Sequence, residues 1–298
     1  MDWLRRLMGG LSPSAEPEPT TGVATVEDLA ERLSRSADEL RSFVPAYREF
    51  SLAKRSGGTR RIAAPDPATR ALQRAIARHV LGGSPAHPAA FGFERGRSTV
   101  GHAWHHAGRA VVLRMDIQDF FGSTSTERVR RYLRYTWDTD AAVLLARLTT
   151  HGGALPQGAP TSPKLSTRIN ARLDARLQGF AASRGARYSR YADDLTFSLA
   201  EDDGRIVHEL IRFTDKVLTQ SGYRLHRQRK LHVRRRHERQ IVTGLVVNDR
   251  PRLPRERRRW LRAVEHRIAT GVGATLSKQQ LAGWRAYQAM VEAGIPAE

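Results

Sequence analysis

Ser189-Arg190-Tyr191-Ala192-Asp193-Asp194-Leu195-Thr196-Phe197-Ser198 carries two short extended runs on either side of a turn at Ala192-Asp193-Asp194. Aromatic and β-branched residues favour strands, and small and acidic residues between them favour a reversal. The segment reads as a β-hairpin with paired carboxylates at its tip. Far upstream, the apolar run Ala110 to Met115 (AVVLRM) stops at a third carboxylate, Asp116. Carboxylates at the ends of adjacent antiparallel strands can converge on one point. Each acidic cluster interrupts an apolar strand, where unpaired charge is costly. With no cysteine or paired histidine beside them, three carboxylates favour a hard, oxygen-seeking ion such as Mg²⁺. Two such ions about 3.5–4 Å apart serve phosphoryl transfer by stabilising both the attacking and the leaving oxygen.

Working outward, the 298 residues hold 50 Lys+Arg against 30 Asp+Glu, a net charge of +20 and a pI near 11.3. Hydrophobic residues make up 40%, enough for a sizeable core. The surplus charge points to a polyanionic partner, a nucleic acid or an acidic membrane surface. The absence of cysteine excludes disulfide scaffolds, Cys-ligated zinc and thiol catalysis, and fits a cytoplasmic protein. No apolar run reaches the ~18–20 residues of a membrane helix. The amphipathic start, Met1 to Met8, is too short and too charged for a secretory segment.

Residues 12–25 have a linker composition, and 26–44 read as one or two short helices capped by Thr25. A hairpin turns at Gly57-Gly58, with Lys54 and Arg60 near its tip, and Ala68 to Leu81 reads as a helix. Further helices are expected over Thr126 to Trp137, Ala141 to Thr150, Leu165 to Ala182 and Ile206 to Ser221. Arg239 to Val247 reads as extended, and Pro254 to Gly271 with Leu276 to Gly294 as a terminal helical pair. The fold class is α+β with an antiparallel sheet.

These motifs, taken in order, resemble the reverse transcriptases. Tyr191–Asp194 (YADD) and Asp116 are joined by GGTRRIAAP (Gly57–Pro65), the Gln73 helix, AFGFERGRS (Ala90–Ser98), MDIQDFF (Met115–Phe121), LPQGAPTSPKLS (Leu155–Ser166), Lys230 and VTGLVVN (Val242–Asn248). PQGAPTSP, VTG and HAWHH (His102–His106) resemble the bacterial retron-type branch in particular. The resemblance implies a right-hand polymerase fold with fingers, a palm holding the antiparallel sheet, and a helical thumb. On that plan residues 1–25 are a terminal segment and linker, 26–109 N-terminal helices and fingers, 110–238 palm (with 151–170 bridging fingers and palm), and 239–298 primer-grip region and thumb.

It also implies site roles. Asp116, Asp193 and Asp194 hold two Mg²⁺ ions, with the backbone carbonyl of Ile117 completing a metal shell. Phe121 is a steric gate against a ribose 2′-OH. Arg60 binds the triphosphate, with Lys54 adding charge, and Gln157 and Gly158 lie under the nucleotide and templating base. Lys230 either protonates the departing pyrophosphate or supplies RNA-binding charge. Tyr191, the Val242-Thr243-Gly244 turn and Arg255, Arg258, Arg259 and Arg262 face RNA or primer. Trp260, Trp284 and Tyr287 are expected in the thumb core rather than as stacking platforms. The partners implied are dNTPs, a structured noncoding RNA serving as template and primer, its RNA–DNA hybrid, and a defence effector protein. Synthesis would start from a guanosine 2′-OH and give branched RNA-linked single-stranded DNA in antiphage defence.

One position departs from the pattern: His102 stands where the branch usually has Asn, while Ala103 and His106 are kept. Alternative readings are another bacterial defence reverse transcriptase with protein-primed or template-independent synthesis, and a catalytically silent RNA-binding scaffold. Intact aspartates, Phe121 and Gln157 argue against the scaffold.

Overall fold

The computed structural model describes residues 23–53, 57–82, 86–226, 231–271 and 273–294. In chain order its first elements are α1 (Val26–Leu33), α2 (Ala37–Ser42), β1 (Tyr47–Ala53), β2 (Thr59–Pro65), α3 (Pro67–Ala75), α4 (Thr99–His105), β3 (Val111–Asp116), α5 (Thr126–Leu133) and α6 (Thr139–Thr149). There follow α7 (Ser162–Ile169), α8 (Ala171–Ala182), β4 (Ala186–Tyr191), β5 (Asp194–Leu199), α9 (Gly204–Gln220), β6 (His232–Arg235), β7 (Ile241–Val242), β8 (Leu245–Val246), α10 (Arg255–Ala269) and α11 (Lys278–Ala293).

The chain divides into two units. The first draws on Met1–His87, Gln118–Arg176 and Leu218–Arg224. Here α1 and α2 each begin at a reciprocal capping box, Thr25 with Asp28 and Ser36 with Glu39, which satisfies backbone donors that the first turn leaves open. β1 and β2 form an antiparallel hairpin that sets Leu52 opposite Arg60. The core gathers Leu29, Leu40, Leu72, Ile76, Val129, Leu133, Leu145 and Leu165, all buried.

Three expected helices are altered in this unit. The helix over Ala68 to Leu81 is α only to Ala75 and continues as a π-type turn, Ile76–Val80. The Lys164 ammonium donates to the Ala77 carbonyl at 2.8 Å, taking an acceptor out of the helical ladder. The helix expected to reach Trp137 stops at Leu133, because residues 136–138 peel away to bond the backbone of Ala24 on both sides. The single helix expected over Leu165 to Ala182 is two, α7 and α8, divided at Asn170. The buried Asn170 amide donates to Ser166 O at 2.8 Å and to Tyr223 Oη at 2.9 Å, and its oxygen accepts from Arg128 at 3.2 Å. An Asn side chain that competes for backbone acceptors breaks a helix readily.

The second unit draws on Pro88–Ile117, Leu177–Val217 and Leu225–Glu298. Its four-stranded sheet has the order β4-β5-β3-β6 with every pairing antiparallel. Leu113, Met115, Leu195 and Phe197 are buried within it, each contributing about 1.5–3 kcal/mol through burial. The expected extended run Arg239 to Val247 is shorter, a β7–β8 hairpin around Thr243-Gly244. Both turn residues have positive φ, 44° and 85°, as tight hairpin loops demand. A second cluster packs Val100, Ala103, Val242, Leu245, Leu261 and Val291, with Trp260, Trp284 and Tyr287 partly buried against it. These three aromatics, expected in the thumb core, pack against this cluster without being fully buried.

Candidate active site

β3 is buried along Val111–Leu113 and turns polar at its end, where Arg114 and Asp116 share one face. Its register with β5 sets Asp116 opposite Asp194, and Arg114 opposite Thr196. The β4–β5 register pairs Tyr191 with Asp194, so the reversal is a two-residue loop, Ala192–Asp193, and Asp194 already belongs to β5. Ala192 adopts φ 57°, a conformation that costs a residue with a Cβ about 1–2 kcal/mol. The surroundings hold it there. The buried Arg190 guanidinium donates to the Ala192 carbonyl at 3.0 Å, and the Ile117 N–H donates to the Asp193 carbonyl at 2.9 Å. Residues 89–92 run along the hairpin: Arg190 N–H donates to Ala89 O, and Phe91 N–H to Arg190 O, each at 2.8 Å. A Cβ on Gly92 would stand 2.6 Å from the Ala192 nitrogen. Only glycine lets that segment lie so close to the turn.

The carboxylates are less gathered than the sequence suggests. Asp116 and Asp193 are half-buried. Asp194 accepts both Nε, at 3.3 Å, and Nη2 of Arg114, and Thr196 donates to it at 3.3 Å. Among the described residues no three acidic or histidine side chains are close enough together to hold a metal ion. The donor set itself fits a hard divalent cation. Two carboxylates face each other in register, a third sits on the adjoining loop, and the Ile117 backbone is hydrogen-bonded to that loop. Arg114 already supplies positive charge at this spot, which is the charge a metal ion would bring. It also lines a cavity of about 370 Å³ with Val112, His232, Arg234, Arg239 and Ile241.

In the first unit, Arg60 lies exposed on β2. Three residues along the same strand, Ala63 N–H donates to the Gln157 carbonyl at 3.0 Å. Gly158 follows at φ 130°, and a Cβ there would meet Ala63 O at 2.9 Å. The Gln157–Gly158 loop is thus seated on the strand that carries Arg60. Phe121 is partly buried against the core of this unit, with its ring 5.4 Å from that of Phe120. Lys54 and Lys230 lie outside the described residues.

In the second unit, Val242 is buried and Thr243 donates from its hydroxyl to Thr99 O at 2.9 Å. Arg255, Arg259 and Arg262 are exposed on α10, while Arg258 is half-buried. Tyr191 packs on His102, ring to ring at 5.7 Å. His102 is fully buried, and burial pushes it down to about 4, only partly opposed by the charge of Asp194. Sequence reasoning missed Arg114, Gly92 and Arg190. Arg114 and Arg190 carried a signal, since each is a charge set inside a strand next to one of the acidic motifs.

A family described as reverse transcriptase (RNA-dependent DNA polymerase) matches residues 52–242. The chain is 36% identical to the retron Mx65 reverse transcriptase of Myxococcus xanthus, over 90% of this chain and 68% of that protein. It is 35% identical to retron Mx162 reverse transcriptase of the same organism (91% and 65%), and 30% identical to retron Ec86 reverse transcriptase of Escherichia coli (88% and 83%). Among solved structures, telomerase from Candida albicans in complex with a TWJ fragment of telomeric RNA matches with a TM-score of 0.52 at 9% identity, covering 73% of this chain and 48% of that one. That likeness shows the right-hand polymerase fold alone. A YADD turn set in register against Asp116, a matched family region and three retron relatives lead to one conclusion: the chain belongs to the reverse transcriptase family, in its retron-type branch, and is an RNA-directed DNA polymerase.

Proposed function

We propose that this polymerase copies a cognate structured noncoding RNA, primed from a guanosine 2′-OH of that RNA, to give branched RNA-linked single-stranded DNA. The setting proposed is antiphage defence in the cytoplasm, alongside an effector protein. The observation that carries the catalytic part of this reading is the register pairing of Asp116 with Asp194 across β3 and β5. The retron relatives support the choice of template and primer.

In this reading Asp116, Asp193, Asp194 and the Ile117 carbonyl hold two Mg²⁺ ions. Bound there, the ions supply Lewis-acid activation of the primer hydroxyl and neutralise the triphosphate. The chain's own groups do the rest. Arg60, with Lys54, grips the triphosphate through its planar guanidinium. Gln157 and Gly158 form the floor under the nucleotide, and Gly158 permits close backbone approach. Phe121 excludes the ribose 2′-OH, and Lys230 gives a proton to the departing pyrophosphate. The Val242-Thr243-Gly244 turn and Tyr191 contact the primer and RNA, while Arg255, Arg258, Arg259 and Arg262 grip the duplex backbone without reading its sequence. Residues 26–109 serve as N-terminal helices and fingers, 110–238 as palm with 151–170 bridging to the fingers, and 239–298 as primer grip and thumb.

The test is to purify the protein with its copurifying RNA, add dNTPs and Mg²⁺, and digest the product with RNase. A DNA product that keeps a 2′,5′-branched nucleotide is expected. DNA joined covalently to protein would replace this reading with protein priming. Asp193→Asn should lower incorporation by more than about 100-fold, and wild-type incorporation in that variant would remove the hairpin from the reaction.

A further inference from the structure

The HAWHH stretch takes no part in the reaction as described, yet it lies directly behind the YADD hairpin. We propose that His106 is a positioning residue that locks the two strands of this hairpin together, on the reading that the hairpin carries the catalytic aspartates. His106 is fully buried, with Nδ1 2.8 Å from Ser198 Oγ on β5 and Nε2 2.7 Å from Ser189 Oγ on β4. Ser189 pairs with Thr196, and Ser198 with Arg187. The two serines are therefore diagonal neighbours on one face, and the imidazole spans them. A neutral imidazole has one N–H donor and one acceptor nitrogen, and a hydroxyl can answer either. The arrangement satisfies three buried polar side chains at once and would leave them unpaired if the strands slid.

The helix that ends just before His106, α4, is itself anchored. Ser98 caps it by accepting from Gly101 N–H at 3.0 Å, and the Thr243 hydroxyl of the VTG turn donates to Thr99 O at 2.9 Å. Near the other end, Arg187 of β4 donates to His105 O at 2.9 Å. The strained Ala192 turn lies beyond the locked serines, so play between β4 and β5 would reach Asp193 and Asp194 directly. Misplacement of a reacting group by ~1 Å costs on the order of 100-fold in rate.

The experiment measures kcat and KM for dTTP on poly(rA)/oligo(dT) with the full chain, beside thermal melting. The variants are His106→Ala, His106→Gln, the double variant Ser189→Ala/Ser198→Ala, and all three alanine changes combined. Expected are a fall in kcat of about 10–100-fold for His106→Ala and for the serine pair, with KM for dTTP within about 2-fold of wild type. The combined variant should be no worse than His106→Ala, and His106→Gln, which keeps a donor and an acceptor, should recover much of the rate. Wild-type kcat in folded His106→Ala, or additive losses in the combined variant, would overturn the proposal. If His106→Ala does not melt cooperatively, the serine pair decides alone, since it keeps the imidazole and removes only two hydroxyls. Asp193→Asn runs alongside. Activity in that variant would refute the catalytic reading of the hairpin, whereas an inactive Asp193→Asn beside an unaffected His106→Ala refutes the lock only.

Discussion

Phe121 is the residue on which choice of sugar is proposed to rest. Removing its ring in Phe121→Ala should cut the preference for dNTPs over rNTPs by roughly 10–200-fold, read from kcat/KM for dTTP and UTP on the same template. His102 gives a prediction of another kind. Its ordinary value near 6.5 falls to about 4 in the folded chain, chiefly through burial. Between those values the unfolded chain binds a proton that the folded chain does not, so stability must fall as pH drops from about 6.5 towards 4. His105, Arg114 and Asp194 also bear on that ring electrostatically. Melting temperature measured from pH 7.5 to 5 should decline, and His102→Asn should decline less steeply. Part of the slope will persist, because burial also lowers His105 and His106.

At the scale of elements, the hairpin that carries Asp193 is held by neighbours as much as by its own strands. Gly92→Ala places a methyl group where the Ala192 nitrogen lies 2.6 Å away. Overpacking of this sort costs about 1–3 kcal/mol, so this variant should melt earlier and polymerise more slowly than Gly179→Ala, whose Cβ meets nothing within 4 Å. The strands themselves were readable from sequence, because Leu113, Met115, Leu195 and Phe197 are local signals of burial. Asp116 and the YADD turn were readable for the same reason, as charges that interrupt such runs. The partners of His106 were not, since Ser189 and Ser198 lie 83 and 92 positions away and nothing in a serine announces its register. The break at Asn170 was hidden in the same way: its cause includes Tyr223, 53 positions on. The engagement of Asp194 by Arg114 follows from a strand register that periodicity alone leaves open.

For the molecule as a whole, a net charge of +20 makes RNA binding strongly dependent on salt. Replacing the exposed Arg255, Arg259 and Arg262 by Gln should weaken binding at low salt. The slope of log K against log salt should flatten by about 0.7–0.9 for each phosphate that is no longer neutralised, measured by filter binding from about 50 to 300 mM KCl; an unchanged slope would take α10 out of the RNA interface. The chain also alternates between its two units rather than finishing one before starting the other. Tyr223 is buried in the first unit, where its hydroxyl lies 2.7 Å from Thr124 Oγ1 and accepts from Asn170, with the Arg128 guanidinium over its ring. In the second unit, Val100 shares a core with Val291. On the ribosome, where residues appear at roughly 5–20 per second, the first of these centres waits for residue 223 and the second for the closing helix. While residues 88–223 are being made, a nascent chain therefore carries two unfinished interiors, and a stop within that span leaves both exposed rather than one lobe complete.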